Sequence, residues 1–188
     1  MILKLFGQRI ALIEVKEELE GSILLPESRT RSFYMGRVTV VGDGRDPDGT
    51  VKPMWVSAGD LIMFQLIGAQ AIASQFVHDD NKVRILHQGD AIARLKSNMI
   101  KLENFEILGD WVLSKVDMQT GTTLVVPDSA RQPNMFTFKL EQKGAGVEHD
   151  IQKGEEIYVE RMRCNPIEID RVTYAFCHKN DVHGVVKS

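Results

Sequence analysis

Apolar positions along this chain fall in short, β-branched runs that end at turn residues. In the first half the segments Arg9 to Val15, Gly36 to Val41, Asp60 to Phe64, Val83 to His87 and Ala91 to Leu95 have this form. Such spacing predicts the strands of a small barrel or sandwich, because β-branched and aromatic side chains suit a pleated surface and Gly, Pro, Asn and Asp interrupt it. No window keeps an i, i+3, i+4, i+7 apolar pattern for three turns free of Gly or Pro, so long helices are not expected. The stretch SNMIKLENFE, residues 97–106, is the one short helical or linking segment.

The pattern occurs twice. Gly7 to Leu12, followed by the aliphatic triplet Ile23, Leu24 and Leu25 with Pro26, Glu27 and Ser28, matches Gly109 to Ser114, followed by Leu124, Val125 and Val126 with Pro127, Asp128 and Ser129. Further on, Gly36 through Gly42 aligns with Phe138 through Gly144, Val56 through Asp60 with Ile151 through Glu155, and Asp90 with Asp181. The second copy is about seven residues shorter where the first carries the turn-rich DGRDPDGTVKP, a deletion that a loop tolerates and a strand does not. Two units are expected, residues 1–98 and 99–188, the second with a shortened loop.

Composition narrows the function classes. The 188 residues are 43% hydrophobic and 26% charged, enough apolar material for real cores. A net charge of −3 with no dense Lys and Arg cluster argues against nucleic acid, since Arg29, Arg31, Arg37, Arg161 and Arg163 are diluted by acids. Cys164 and Cys177 form neither a disulfide framework nor the paired spacing of a zinc site, and the nearby His178 and His183 are read as incidental. The opening MILKLFGQRIALIEV is broken by Lys4, Gln8, Arg9 and Glu14, so it reads as neither signal peptide, membrane span nor transit peptide. A cytoplasmic protein without membrane attachment is expected.

Several motifs invite chemistry and do not carry it. GDGRDPDG, residues 42–49, lacks the Gly-Lys-Ser/Thr and following helix of a phosphate loop. Asp43, Asp46 and Asp48 lack the ligand spacing of a calcium loop, and a turn explains them. No spacing brings together a nucleophile, base and acid, so no catalytic residue, metal or cofactor is expected.

In this order the elements resemble the GroES, or chaperonin-10, family. The carriers are Gly-x-Arg-Ile at Gly7 to Ile10, the triplet with Pro, acid and Ser, the Gly42 and Gly44 spacing, Gly59-Asp60-x-Ile-x-Phe, and the closing Gly89-Asp90-x-Ile-Ala. The likeness covers Phe6 to Leu95 almost end to end, and the second copy follows by its alignment to the first. It implies an all-β fold of two tandem GroES-like small antiparallel β-barrels, with a roof hairpin in the first around Asp43 to Pro53.

The resemblance further implies a co-chaperonin that caps a GroEL-type chaperonin ring and assists ATP-dependent folding, itself a homo-oligomeric ring. Ile23, Leu24 and Leu25, with Leu124, Val125 and Val126, would be the chaperonin-binding residues, on loops somewhat shorter than the family's usual ones. ATP hydrolysis would belong to the partner. Tandem and divergent members occur in plastids and bacteriophages, and the missing transit peptide points to a phage. Two alternatives stay open: each triplet is a buried strand, and the protein is a GroES-fold assembly accessory, such as a capsid accessory, that binds no chaperonin.

Overall fold

The computed structural model describes residues 3–15, 33–65, 75–78, 81–97, 99–116, 135–160 and 163–186. Among these there is no α-helix, and strands dominate. The first sheet holds β1 (Arg9–Glu14), β2 (Tyr34–Val41), β3 (Leu61–Phe64), β4 (Gln75–His78), β5 (Asn81–His87), β6 (Ala91–Leu95) and β7 (Phe105–Ile107), ordered β4-β5-β1-β2-β3-β6-β7. The second holds β8 (Trp111–Lys115), β9 (Met135–Lys143), β10 (Glu156–Glu160), β11 (Asn165–Ile169), β12 (Val172–His178) and β13 (Val182–Val186), ordered β11-β12-β8-β9-β10-β13. All pairings are antiparallel. This is the all-β fold of two small antiparallel barrels in tandem that the repeated pattern implies.

Apart from β7, the two sheets match strand for strand, irregularities included. Ile10 pairs with Val41 and the ladder bulges between Ala11 and Leu12; Val112 pairs with Lys143 and the ladder bulges between Leu113 and Ser114. Likewise the bulge between Met63 and Phe64 in the β3–β6 ladder returns between Tyr158 and Val159 in β10–β13. A bulge bends the strand and increases its twist, so conserving its position conserves how each sheet curls round its core.

Each unit has a core of its own. Ile10, Leu12, Val38, Val56, Ile62 and Phe64 fill the first, and Val112, Leu140, Ile151, Ile157, Val159 and Cys177 fill the second. A third core lies between them, where Met35, Leu61, Met63 and Leu95 of the first sheet meet Trp111, Leu113, Tyr174 and Phe176 of the second. Strands at this seam are therefore buried on both faces, and alternate residues point to different cores. In LIMF of β3, Leu61 and Met63 face the seam while Ile62 and Phe64 face inward, which makes the run apolar throughout. Burying Phe176 completely at this seam is worth roughly 2–3 kcal/mol.

Polar groups lock the seam in register. Arg94 donates to Asp60 at 3.0 Å, to Glu106 of β7 at 3.1 Å and to the Trp55 carbonyl at 2.6 Å. The amides of Gln65 and Asn165 exchange hydrogen bonds at 3.0 and 3.1 Å, and Trp111 Nε1 donates to the Gly89 carbonyl at 3.1 Å.

One reading of the sequence needs correction. Spacing left Cys164 and Cys177 unlinked, and the structure joins them in a disulfide with Cα atoms 4.6 Å apart. Register is the reason: Asn165 pairs with Phe176, so the residue before one strand faces the residue that follows on the other.

Candidate functional site

The long excursions after β1 and β8, residues 15–33 and 116–134, are equal in length and leave equivalent points of the two units. Ile23, Leu24, Leu25, Leu124, Val125 and Val126 lie on them, outside the described residues. The stems are described. Val15 N donates to the Met35 carbonyl at 2.9 Å, so the chain leaves β1 still paired to β2. Val15 and Phe33 pack against the seam core, with Phe33 edge-on to Phe176 at 5.4 Å.

A polar clamp spans the first stem. Glu14, the last residue of β1, accepts from Arg84 Nε of β5 at 3.0 Å, and the Arg84 guanidinium lies 5.9 Å from the Tyr34 ring at the start of β2. Tyr34 in turn stacks on Phe64 at 5.7 Å. Arg84 is 8% exposed, so its attraction to Glu14 is screened far less than that of a surface pair. One side chain thus ties together both ends of the excursion. In the second unit the alignment replaces Glu14, Tyr34 and Arg84 by Val116, Phe136 and Ala175. There Val116 packs against the inner core and donates its N–H to the Thr173 carbonyl at 2.9 Å.

Sequence reasoning missed the clamp. The available signal was Arg84 itself, a cation inside the apolar run VRIL of β5.

Opposite the stems, residues 42–60 of the first unit form the roof. Arg45 bridges Val51, and Asp46 and Thr50 close the turn. The carboxylates weighed as a calcium loop are spent within this hairpin. Asp43 accepts from Gly7 N at 2.8 Å and Arg45 N at 3.1 Å, Asp46 from Gln8 at 2.9 Å while pairing with Lys52 at 2.9 Å, and Asp48 from Thr50 N at 2.9 Å. The Arg45 and Gly7 amides hold the Asp43 carboxyl below its ordinary range; Lys52 and Gln8 do the same for Asp46.

Beneath the roof lies Gln88, fully buried and fully bonded. It accepts from Trp55 N at 2.9 Å and donates to Gln8 at 2.9 Å and the Pro53 carbonyl at 3.1 Å. The second unit places Lys179 here, bonded to Asp110 at 2.9 Å and the Gly146 carbonyl at 3.2 Å. An amide pair and an ion pair hold the same node.

Among the described residues no three His, Cys, Asp or Glu side chains cluster as metal ligands, and no helix is long and apolar enough to cross a membrane. The described residues offer two stems at equivalent points of the two units, the first of them clamped by Arg84, and no described cluster of reacting groups.

Comparison with known proteins bears on this arrangement. The family model described as "Chaperonin 10 Kd subunit" matches residues 3–95. A protein named "Co-chaperonin GroES" from Hydrogenovibrio crunogenus is 34% identical over 98 residues, covering 50% of this chain and 97% of that protein. The protein of the same name from Chlamydia pneumoniae is 33% identical over 97 residues, covering 50% of this chain and 91% of its own length. One from a Wolbachia of Drosophila simulans is 26% identical over 95 residues, covering 50% and 95%.

Proposed function

Because this chain belongs to the chaperonin-10, or GroES, family, we propose that it is a cytoplasmic co-chaperonin, assembled as a homo-oligomeric ring, that caps a GroEL-type chaperonin during ATP-dependent folding. The family is not one of enzymes, and in this reading the nucleotide chemistry belongs to the chaperonin. The units are residues 1–98 and 99–188, each presenting one excursion. Ile23, Leu24 and Leu25, with Leu124, Val125 and Val126, are the docking residues.

One observation supports the reading: both excursions leave equivalent points of the two units, at the end away from the roof. An aliphatic triplet there contributes about 1.5–3 kcal/mol per buried side chain to a docked complex, less the cost of ordering the loop. Each contact is modest, and several loops on one assembly gain by effective concentration.

Co-sedimentation with a chaperonin ring, with and without ATP, tests it. Wild type is expected to pellet with the ring, and Leu24→Ser with Leu25→Ser to remain in the supernatant with an unchanged melting temperature. A variant that unfolds the first unit would identify the triplet as core and refute its docking role.

A further inference from the structure

The two excursions are equal in length, so closing them costs the same entropy, and any difference in how they dock lies in their triplets and their stems. The stems differ. Along a strand alternate side chains point to opposite faces, and in the first unit both faces of the stem are held. Leu12 faces Arg84 across the β1–β5 ladder, and Leu12 and Leu86 lie in the inner core, so Arg84 and Glu14 share that inner face. There Arg84 Nε donates to Glu14 at 3.0 Å, and the guanidinium lies 5.9 Å from the ring of Tyr34, which packs against the same core. The next residues outward, Val15 and Phe33, turn to the seam core, where Phe33 meets Phe176 of the second unit.

The second stem is built from other residues. Val116 stands in place of Glu14, Ala175 in place of Arg84, and Phe136, 37% exposed, in place of Tyr34. Val116 rests on the inner core and donates its N–H to the Thr173 carbonyl at 2.9 Å. Ala175 cannot reach across from β12 as Arg84 does from β5.

We propose that Arg84 is a positioning residue for docking: it holds both ends of the first excursion in place before a partner arrives, making Ile23, Leu24 and Leu25 the dominant contact and Leu124, Val125 and Val126 the weaker one. The proposal rests on the docking reading above and gives the two units unequal parts in it.

A loop end already fixed in the free chain loses less freedom on binding, and each side chain ordered in advance changes affinity by roughly two- to tenfold. Arginine suits the task, because its planar, permanently charged guanidinium can bond a carboxylate and lie beside an aromatic ring at once. At 8% exposure it is weakly screened by salt, so the clamp persists at physiological ionic strength. The first triplet also has the larger aliphatic side chains, a difference that variants of Arg84 leave untouched.

Hydrogen exchange of the full chain without chaperonin tests the clamp, and binding of the same chains to a GroEL-type ring with ATP tests its consequence. The Val15 amide, bonded to the Met35 carbonyl, is expected to be protected in wild type. Arg84→Met should speed its exchange about tenfold and leave the Val116 amide unchanged. Arg84→Lys, which keeps a cation within reach of Glu14, should lie between. Glu14→Val with Arg84→Ala copies the second unit's residues, so it should keep the melting temperature and exchange as Arg84→Met does. On the ring, Arg84→Met and the double variant are expected to bind roughly two- to tenfold more weakly than wild type, and Arg84→Lys to recover part of the loss. Leu124→Ser with Val125→Ser should weaken binding less than Leu24→Ser with Leu25→Ser.

A wild type that does not bind the ring would refute the docking reading and this proposal with it. A wild type that binds, with Arg84→Met and the double variant binding equally well, would overturn the proposal alone. Unchanged exchange at Val15, or equal losses from the two pairs of triplet substitutions, would do the same. Unfolding of both Arg84→Met and the double variant would identify Arg84 as a structural residue and remove its positioning role.

Discussion

Gly7 and Gly109 occupy the same place in the two units, with φ of 66° and 50°, and differ in what surrounds them. An added methyl at Gly7 meets nothing closer than the Arg45 carbonyl at 3.4 Å, whereas at Gly109 it overlaps the Trp55 ring. Both Ala substitutions suffer the left-handed backbone penalty, roughly 1–2 kcal/mol. Gly109→Ala must also displace Trp55, whose carbonyl receives Arg94 and whose N–H bonds Gln88. Overpacking of this kind adds about 1–3 kcal/mol, so the expected costs are about 1–2 kcal/mol for Gly7→Ala and about 2–5 for Gly109→Ala. Urea denaturation followed by tryptophan fluorescence measures both, since Trp55 and Trp111 lie at the seam. Equal losses for the two variants would refute the packing of Trp55 against Gly109, and with it the described seam.

Other outcomes follow from single groups. Ser114 occupies the position of Leu12, is fully buried, and its Oγ has no partner among the described residues; Ser114→Ala is therefore expected to be neutral or to stabilise by about 1 kcal/mol in chemical denaturation. The disulfide closes a separation of 13 residues, so reduction should lower stability by about 2–3 kcal/mol, read as a drop in melting temperature with dithiothreitol. The carboxyls should titrate on opposite sides of their ordinary 3.8 in a carbon-13 NMR titration: Asp43 and Asp46 below it through their hydrogen bonds, Asp90 above it through burial. Asp43 and Asp46 then stabilise the fold above that value and lose this contribution as pH falls through their folded pKa. Asp90 contributes less stability as pH rises through its own.

The sequence alone determined β1, β2, β3, β5 and β6, the repeat and the family, because those depend on local pattern: β-branched runs, turn glycines at Gly42, Gly44 and Gly59, and an aliphatic triplet in each half; β4, β7 and β11 it left unread, and β7 lies in the stretch taken as helical or linking. It also determined that the roof differs between units, since a deletion shows directly in the spacing. What it did not reveal depends on contacts between residues far apart in the chain. Whether LIMF of β3 is apolar because one core or two claim it is settled by the second sheet lying against its outer face. Arg84 reads as an ordinary charge until β1, β2 and β5 assemble around it. Cys164 and Cys177 become neighbours only through hairpin register, and β7 belongs to the first sheet although the repeat assigns it to the second unit. Periodicity records which residues seek burial, and tertiary structure decides what covers them, because that depends on surfaces meeting across the chain.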